Sequence, residues 1–144
     1  MILRLPSCRS LPYFLIGLLL AAALSGCGDG FTYVPVSGTV RMNNEPITAG
    51  TVVFVPTGDN PARFNATGKI GADGSYVLSS NGRAGVPTGS YVACVQPQMR
   101  RIAGKEAPPR RFADKYIDAT DNPLKVQVAI NPAAGAYDLV LTED

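Results

Sequence analysis

The residue whose type and position point most clearly to chemistry is Cys27. The thiol stands directly after Ser25 and Gly26, small residues that allow a peptidase to reach the peptide bond before the cysteine. An apolar run over residues 11–23 precedes this site, and two arginines precede the run. Positive residues, a short apolar stretch and small residues, in this order, are typical of a cleaved signal peptide. The spacing therefore predicts cleavage before Cys27, which becomes the first residue of the mature chain.

The segment Leu24-Ser25-Gly26-Cys27 resembles the lipobox of bacterial lipoproteins. The resemblance implies that the thiol of Cys27 carries a diacylglycerol group and that the new amino terminus is acylated as well. Each buried CH₂ contributes about 0.8 kcal/mol, so two or three acyl chains make a stable anchor. The expected localisation is the bacterial cell envelope, on an inner or outer membrane. The alternative is a membrane-spanning helix, but residues 11–23 are fewer than the roughly 20 apolar residues that a bilayer requires.

Catalytic side chains are scarce, because the chain contains no histidine. Ser-His-Asp catalysis, Cys-His catalysis and histidine-ligated zinc are therefore excluded. Carboxylates remain, and Asp114, Asp118 and Asp121 cluster in one long loop, where oxygen ligands could attract calcium. Their spacing does not match a calcium loop and Lys115 lies among them, so we expect solvated loop acids. We predict no enzyme activity, no bound metal and no cofactor.

The long loop at residues 97–123 also carries a basic stretch, relieved only by Glu106. Its five cations are Arg100, Arg101, Lys105, Arg110 and Arg111. Such a stretch could contact anionic lipid headgroups or an acidic polysaccharide, and the alternative is a mobile, solvated loop. Nucleic acid is not expected as a partner, because no aromatic residue interleaves with these charges. Loss of the two signal-peptide arginines also leaves eleven basic against eleven acidic residues, so the mature chain is neutral.

Cys94 is the remaining thiol, since Cys8 leaves with the signal peptide and Cys27 carries lipid. A disulfide within the mature domain is therefore excluded. Cys94 alternates with the predicted core residues Ala93 and Val95 and should point away from the main core. We expect a small, half-buried residue under the long loop. The alternative is a disulfide between chains, whereas a catalytic thiol would need an activating base.

The elements that must position these residues are short strands. Apolar runs rich in Val, Thr, Tyr and Phe are separated by turns with Gly, Pro, Asn or Asp. No segment keeps a 3.6-residue period. The pattern predicts an all-β, seven-stranded sandwich with strands at residues 36–42, 51–56, 64–70, 75–79, 90–96, 124–130 and 136–142. The expected organisation is a signal peptide at residues 1–26, a lipidated tether at residues 27–34 and one sandwich domain at residues 35–144.

Alternation within the strands assigns the core, and two tight turns are expected at Asn43-Asn44 and Asp73-Gly74. The predicted core residues are Val36, Gly38, Val40, Val52, Phe54, Tyr76, Leu78, Tyr91, Ala93, Val95, Leu124, Val126, Val128, Tyr137, Leu139 and Leu141. The strand at residues 51–56 has an apolar excess, because Val53 and Val55 fall on its opposite face. We expect that outer face to be covered, by the long loop or by a partner.

Four motifs occur in order along the chain: Val36-Ser37-Gly38-Thr39-Val40, Ala49-Gly50-Thr51-Val52-Val53-Phe54-Val55-Pro56, Asp73-Gly74-Ser75-Tyr76-Val77-Leu78 and Pro87-Thr88-Gly89-Ser90-Tyr91. Together they resemble the carboxypeptidase regulatory-like, transthyretin-like domain of many small bacterial lipoproteins. The resemblance covers nearly the whole mature chain. It implies an immunoglobulin-like sandwich that serves as an accessory or adhesive module, and it implies no catalytic residue.

These observations predict a membrane-anchored envelope lipoprotein that acts as a non-catalytic binding or structural module. Its expected partners are the membrane, through acyl chains on Cys27, and another envelope protein or a glycan, through the long loop or an exposed sheet edge. A carrier of a small ligand is the first alternative, and a deep apolar pocket between the sheets would favour it. A transthyretin-like hydrolase is the second, although the resemblance implies histidines that this chain lacks.

Overall fold

The strands predicted from the sequence are present in a computed structural model that describes residues 28–98 and 112–143. Within these two ranges the chain forms twelve strands and a single 3₁₀ turn, Asp114–Tyr116, so the all-β prediction is confirmed. Residues Phe31–Asp144 belong to one structural unit. The signal peptide, Cys27 and the five cations of the basic stretch lie outside the described residues, and the predictions about them remain predictions.

The larger sheet contains six strands. They are β4 (Thr51–Pro56), β5 (Ala66–Lys69), β7 (Ser79–Ser80), β8 (Arg83–Ala84), β10 (Gly89–Gln96) and β11 (Lys125–Val128). Their spatial order is β11-β10-β4-β5-β7-β8, and every neighbouring pair is antiparallel. The central pair of β4 and β10 is rich in Val, a residue that suits a pleated, half-buried surface.

A smaller sheet faces the larger one. It contains β2 (Ser37–Met42), β3 (Glu45–Pro46), β6 (Ser75–Val77) and β12 (Leu139–Leu141). β2 pairs with all three of the others, antiparallel with β3 and β6 and parallel with β12. A separate antiparallel pair is formed by β1 (Tyr33–Val34) and β9 (Val86–Pro87). The folded part of the chain therefore begins before residue 35, inside the tether predicted at residues 27–34, because Tyr33 and Val34 already belong to a strand.

The two predicted tight turns have the backbone conformations that their residues favour. Asn43 and Asn44 have φ angles of 49° and 68°, and Gly74 has a φ angle of 82°. One carboxylate oxygen of Asp73 accepts hydrogen bonds from the main-chain N–H of Ser75 at 3.0 Å and from its hydroxyl at 2.6 Å. Both turn predictions are confirmed, since Asn and Gly accept positive φ and Asp binds the turn backbone.

The strand predicted at residues 75–79 is instead two strands in different sheets. β6 pairs with β2 in the smaller sheet, and after Leu78 the chain continues as β7, which pairs with β5 in the larger sheet. Gly68 on β5 allows this crossing, because a β-carbon there would lie 2.2 Å from the carbonyl oxygen of Val77. Of the other strands, β4 has the predicted bounds, whereas β5, β11 and β12 are shorter than predicted.

The core lies between the two sheets and contains the residues that alternation predicts. All of them are buried except Gly38, Leu124 and Val126, which are half-buried. The aromatic ring of Phe54 lies at the centre, 6.5 Å from the ring of Tyr76 and 6.0 Å from that of Tyr91. Because the inner faces of both sheets contribute to one apolar cluster, the arrangement is consistent with a β-sandwich.

The first and last residues of β10, Gly89 and Gln96, mark two ends of the domain. The main-chain N–H of Thr88 donates to the carbonyl oxygen of Thr32 at 3.0 Å, so the N-terminal segment lies beside the start of β10. Gln96, the last residue of β10, pairs with Thr51, the first residue of β4. At about 3.3 Å per residue, these two ends are roughly 26 Å apart. We call the end with Thr32 and Thr88 the proximal end, and the end with Gln96 the distal end.

Candidate functional site

The long loop is attached to the fold at the distal end. On its outgoing side, Gln98 follows β10 by two residues. On its returning side, the hydroxyl groups of Tyr116 and Thr142 lie 2.9 Å apart, and Thr142 directly follows β12. β12 runs parallel to β2, whose last residue, Met42, pairs with the end of β12. Gln98 and Tyr116, which flank the basic stretch in the sequence, therefore lie at the distal end, away from Thr32.

The returning side of the loop is fixed by burial. Phe112, Ala113 and Tyr116 belong to the main core, although the sequence pattern did not assign them to it. The ammonium group of Lys115 lies 5.2 Å from the centre of the Tyr116 ring, within the range of a cation–π interaction. The described part of the loop is thus held firmly against the sandwich, so the segment that follows the basic stretch has a defined position.

The three loop acids are exposed and serve local turns. The carboxylate of Asp118 accepts a hydrogen bond from the main-chain N–H of Thr120 at 2.8 Å. Asp121 has a positive φ of 58°, a conformation that Asp tolerates at turns. Among residues 28–98 and 112–143, no group of three or more His, Cys, Asp or Glu side chains could hold a metal ion. Asp114, Asp118 and Asp121 therefore act as turn and surface residues in this structure.

Asn122 is a buried polar residue whose role the sequence did not reveal. Its amide nitrogen donates to the carbonyl oxygen of Asp118 at 2.9 Å and to that of Ala93 at 3.0 Å. Its amide oxygen accepts from the main-chain N–H of Leu124 at 2.9 Å. These bonds join the returning loop to the free edge of β10 beyond β11. A polar residue in a loop next to proline looks like a turn former, and the sequence gives no signal for its burial.

Cys94 points away from the main core, as alternation predicted. It forms a second, small apolar cluster on the outer face of the larger sheet with Val53 and Val92, and Val55 packs half-buried against them. This outer face is therefore covered at Val53, which is 7% exposed, and at Cys94, which is 2% exposed. Burial raises the pKa of the Cys94 thiol, and the hydrogen bond from Asn122 offsets this only in part. A reactive thiol requires the opposite shift, so the structure favours a packing role.

The proximal end carries a group of apolar and basic side chains that sequence analysis did not single out. Phe31 and Phe64 form an edge-to-face pair with ring centres 5.6 Å apart, and both are half-buried. The guanidinium of Arg83 lies 5.3 Å from the centre of the Tyr33 ring. Ile130 follows β11 at the same end and is 67% exposed. Two other large apolar side chains are exposed to a similar degree, Val77 at 69% and Val140 at 62%, and both lie on strands of the smaller sheet.

The loop that presents Phe64 is fixed by Asn60. This side chain is 2% exposed, donates to the carbonyl oxygen of Ser90 at 2.8 Å and accepts from the main-chain N–H of Ala62 at 3.0 Å. Gly89 leaves room for it, because a β-carbon there would lie 2.6 Å from the Asn60 amide nitrogen. The loop between β4 and β5 is thus tied to the start of β10, and Phe64 has a defined position at the proximal end.

Comparison of the chain with protein-family models, with curated proteins and with solved structures finds no match. In the part of the chain that the structure describes, no helix is long and apolar enough to cross a membrane. The apolar run at residues 11–23 lies outside that part. Function must therefore be inferred from the residues and from the geometry of the two ends.

The sheet edges offer little room for a partner strand. The larger sheet ends in β8, with two residues, and in β11, with four. The smaller sheet ends in β12, with three residues, and in β3, with two residues, one of which is Pro46. Short edges and proline are features that prevent a partner strand from pairing. The described sheet edges therefore give little support to pairing with a partner strand.

Proposed function

We propose that the protein is a cell-envelope lipoprotein, anchored through acyl chains on Cys27, whose single domain is a non-catalytic binding or structural module. The observation that carries the proposal is the arrangement of the two ends. The folded chain begins at the proximal end, four residues after Cys27, and the long loop is attached at the distal end. A lipid on Cys27 would hold the proximal end at the membrane, and the loop would face away from it.

The domain proposed for this role is an immunoglobulin-like, transthyretin-like sandwich that follows a signal peptide at residues 1–26. Two observations support the choice of family. Gly38, in the first resembling motif, lies where a β-carbon would be 2.2 Å from the carbonyl oxygen of Tyr137. Gly74, in the third motif, has the positive φ that a tight turn requires. The glycines of the motifs thus have the scaffold roles that the resemblance implies.

The loop is the proposed binding surface, and its partner is an acidic envelope component, either a protein or a glycan. Five cations within twelve residues favour an acidic partner: Arg100, Arg101, Lys105, Arg110 and Arg111. The carrier hypothesis has less support, because the rings of Phe54, Tyr76 and Tyr91 occupy the space between the sheets. The hydrolase hypothesis has less support as well, since histidine is absent and burial raises the pKa of the Cys94 thiol.

Metabolic labelling with palmitate tests the anchor. We expect label on the wild-type protein and on a Cys94→Ala variant, which serves as the matched control, and no label on a Cys27→Ala variant. The Cys27→Ala protein should also retain the signal peptide, because the lipid-dependent cleavage would fail. A labelled Cys27→Ala protein, or an unlabelled wild-type protein, would show that the anchor assignment is wrong.

Photo-crosslinking in intact cells tests the binding surface. A photoreactive amino acid at Gln98, on the outgoing side of the loop, should give a discrete adduct, and the double variant Arg100→Gln/Arg101→Gln should weaken it. Val77 is the control position, because it is 69% exposed on the outer face of the smaller sheet. Protease sensitivity of the added mass would indicate a protein partner, and glycosidase sensitivity a glycan. Equal adducts from Gln98 and Val77 would contradict the proposal.

A further inference from the structure

We propose that the proximal end is a membrane-docking surface, which rests on the bilayer that holds the acyl chains of Cys27. Phe31, Phe64 and Ile130 would lie at the level of the lipid headgroups, with Arg63 and Arg83 beside the lipid phosphates. This inference rests on the lipid anchor proposed above and adds to it a fixed orientation of the domain. The long loop would then project into the aqueous compartment.

The length of chain before the fold brings this end to the bilayer. Only Gly28, Asp29 and Gly30 separate Cys27 from Phe31. Four residue steps of at most about 3.6 Å allow a maximum distance of roughly 14 Å between the two residues. The acyl chains fix Cys27 at the boundary of the hydrocarbon core, and the headgroup region beyond it is about 5–8 Å thick on each side. The tether therefore holds Phe31 no more than roughly 6–9 Å beyond the headgroup region, which brings the proximal end within reach of the headgroups.

The side chains at this end suit such a position. Phe31 and Phe64 pack edge to face and are both half-buried, so part of each ring is exposed at this end. Ile130, two residues beyond the end of β11, adds an aliphatic side chain that is 67% exposed. Apolar side chains of interfacial segments bury about 5–10 Å into the boundary between headgroups and acyl chains. The bonds of Asn60 hold the loop of Phe64 in place, so docking requires little rearrangement.

The charge of the proximal end suits an anionic bilayer. In residues 57–64 and 79–88, which lie at this end, the charged side chains are Asp59, Arg63 and Arg83. An anionic bilayer attracts nearby Arg side chains. The orientation itself rests on the short tether and on the apolar side chains of this end.

Tryptophan fluorescence tests the docking directly, because the chain contains no tryptophan of its own. The full-length protein is expressed with its signal peptide and reconstituted into vesicles of phosphatidylethanolamine and phosphatidylglycerol that contain brominated lipid. An Ile130→Trp variant should be quenched at least about twofold more strongly than the control, because its ring would lie at headgroup depth. The control is Val77→Trp, since Val77 has nearly the same exposure, 69%, on the outer face of the smaller sheet. A Phe64→Trp variant provides a second reporter at the docking surface.

Charge removal gives a second measurement. In the Ile130→Trp background, Arg63→Gln should lower the ratio of docked to undocked protein roughly fivefold, the effect of one charge near an anionic surface. Arg41→Gln, on the outer face of β2, should leave the quenching unchanged. The effect of Arg63→Gln should also vanish when phosphatidylglycerol is replaced by a zwitterionic lipid.

Flotation of the vesicles separates the two proposals. If the protein floats with the vesicles but Ile130→Trp and Phe64→Trp are quenched no more than Val77→Trp, the anchor stands and the docking surface is wrong. If the protein does not float, the anchor is wrong and the docking inference fails with it. Stronger quenching of both proximal reporters in floating protein supports both proposals.

Discussion

Replacement of Gly38 by alanine should destabilise the domain strongly, because this glycine lets the C-terminal segment approach β2. The position has no room for a side chain: a β-carbon would lie 2.2 Å from the carbonyl oxygen of Tyr137 and 2.7 Å from its carbonyl carbon. Ordinary contacts of this kind begin near 3.4 Å. The Gly38→Ala protein can fold only if β2 and the start of β12 move apart by about 1 Å or more.

The magnitude follows from the bonds that this movement would break. The hydroxyl of Tyr76 donates to the carbonyl oxygen of Tyr137 inside the core. One carboxylate oxygen of Asp138 accepts from the main-chain N–H of Thr39 at 2.8 Å and from its hydroxyl at 3.0 Å. At roughly 1 kcal/mol for each hydrogen bond, the expected loss in the free energy of unfolding is about 3 kcal/mol.

Urea unfolding of the purified protein in mild detergent measures this loss. With a slope of about 1–3 kcal/mol per M, the midpoint should fall by roughly 1–3 M. Gly58→Ala is the matched control, because a β-carbon there would have nothing within 4 Å and its φ is ordinary. That substitution should be neutral or stabilise the protein by up to about 1 kcal/mol. Equal midpoints for the two variants would refute the close approach of Tyr137 to β2.

Three further outcomes are expected. Asn60→Ala should lower the free energy of unfolding in urea by about 2 kcal/mol, since it leaves the buried main-chain N–H of Ala62 without its acceptor, whereas the exposed control Asn65→Ala should change little. The hydroxyl of Ser75, and then its main-chain N–H, lower the pKa of Asp73 below the ordinary value of 3.8. The stability that Asp73 contributes is therefore present above pH 3.8 and is lost as the pH falls through the lowered pKa. The urea midpoints of the wild-type protein and of Asp73→Asn should differ at pH 7 and converge in acid. Because burial raises the pKa of the Cys94 thiol, a disulfide-exchange reagent at pH 8 should label the folded protein far more slowly than the urea-unfolded protein, and equal rates would contradict its burial.

The strands and turns could be predicted because their signals are local. β4 has the predicted bounds, and alternation placed Val52 and Phe54 inside and Val53 outside. The turn residues Asn43 and Asn44 have the positive φ that their side chains tolerate. Each of these features depends on a few neighbouring residues, so no knowledge of strand pairing was needed.

The pairing of distant strands was beyond the sequence pattern. The crossing from β6 to β7 keeps Tyr76, Leu78 and Ser80 on the buried side, so the alternation continues while the sheet changes. β1 has only two residues, too few to show a period. The proximal end could not be predicted from the sequence for the same reason. The position of Phe31 depends on the pairing of β1 with β9, some fifty residues later.

The buried amides were missed for a different reason. Asn60 and Asn122 lie in loops beside proline, where asparagine is common at exposed turns. Their burial depends on main-chain oxygen atoms of β10, namely those of Ser90 and Ala93, which only the tertiary structure brings near. The sequence alone does not distinguish an exposed asparagine from a buried one whose amide hydrogen-bonds a loop to a strand.

The parallel pairing of β2 and β12 has a mechanical consequence. β2 follows directly from the N-terminal segment, and β12 ends three residues before the C-terminus. A force that pulls the two chain ends apart would slide these strands past each other and strain all their hydrogen bonds together, whereas a hairpin would unzip one bond at a time. Forced unfolding is governed by the height of the unfolding barrier, so the domain should bear tension between its termini without opening.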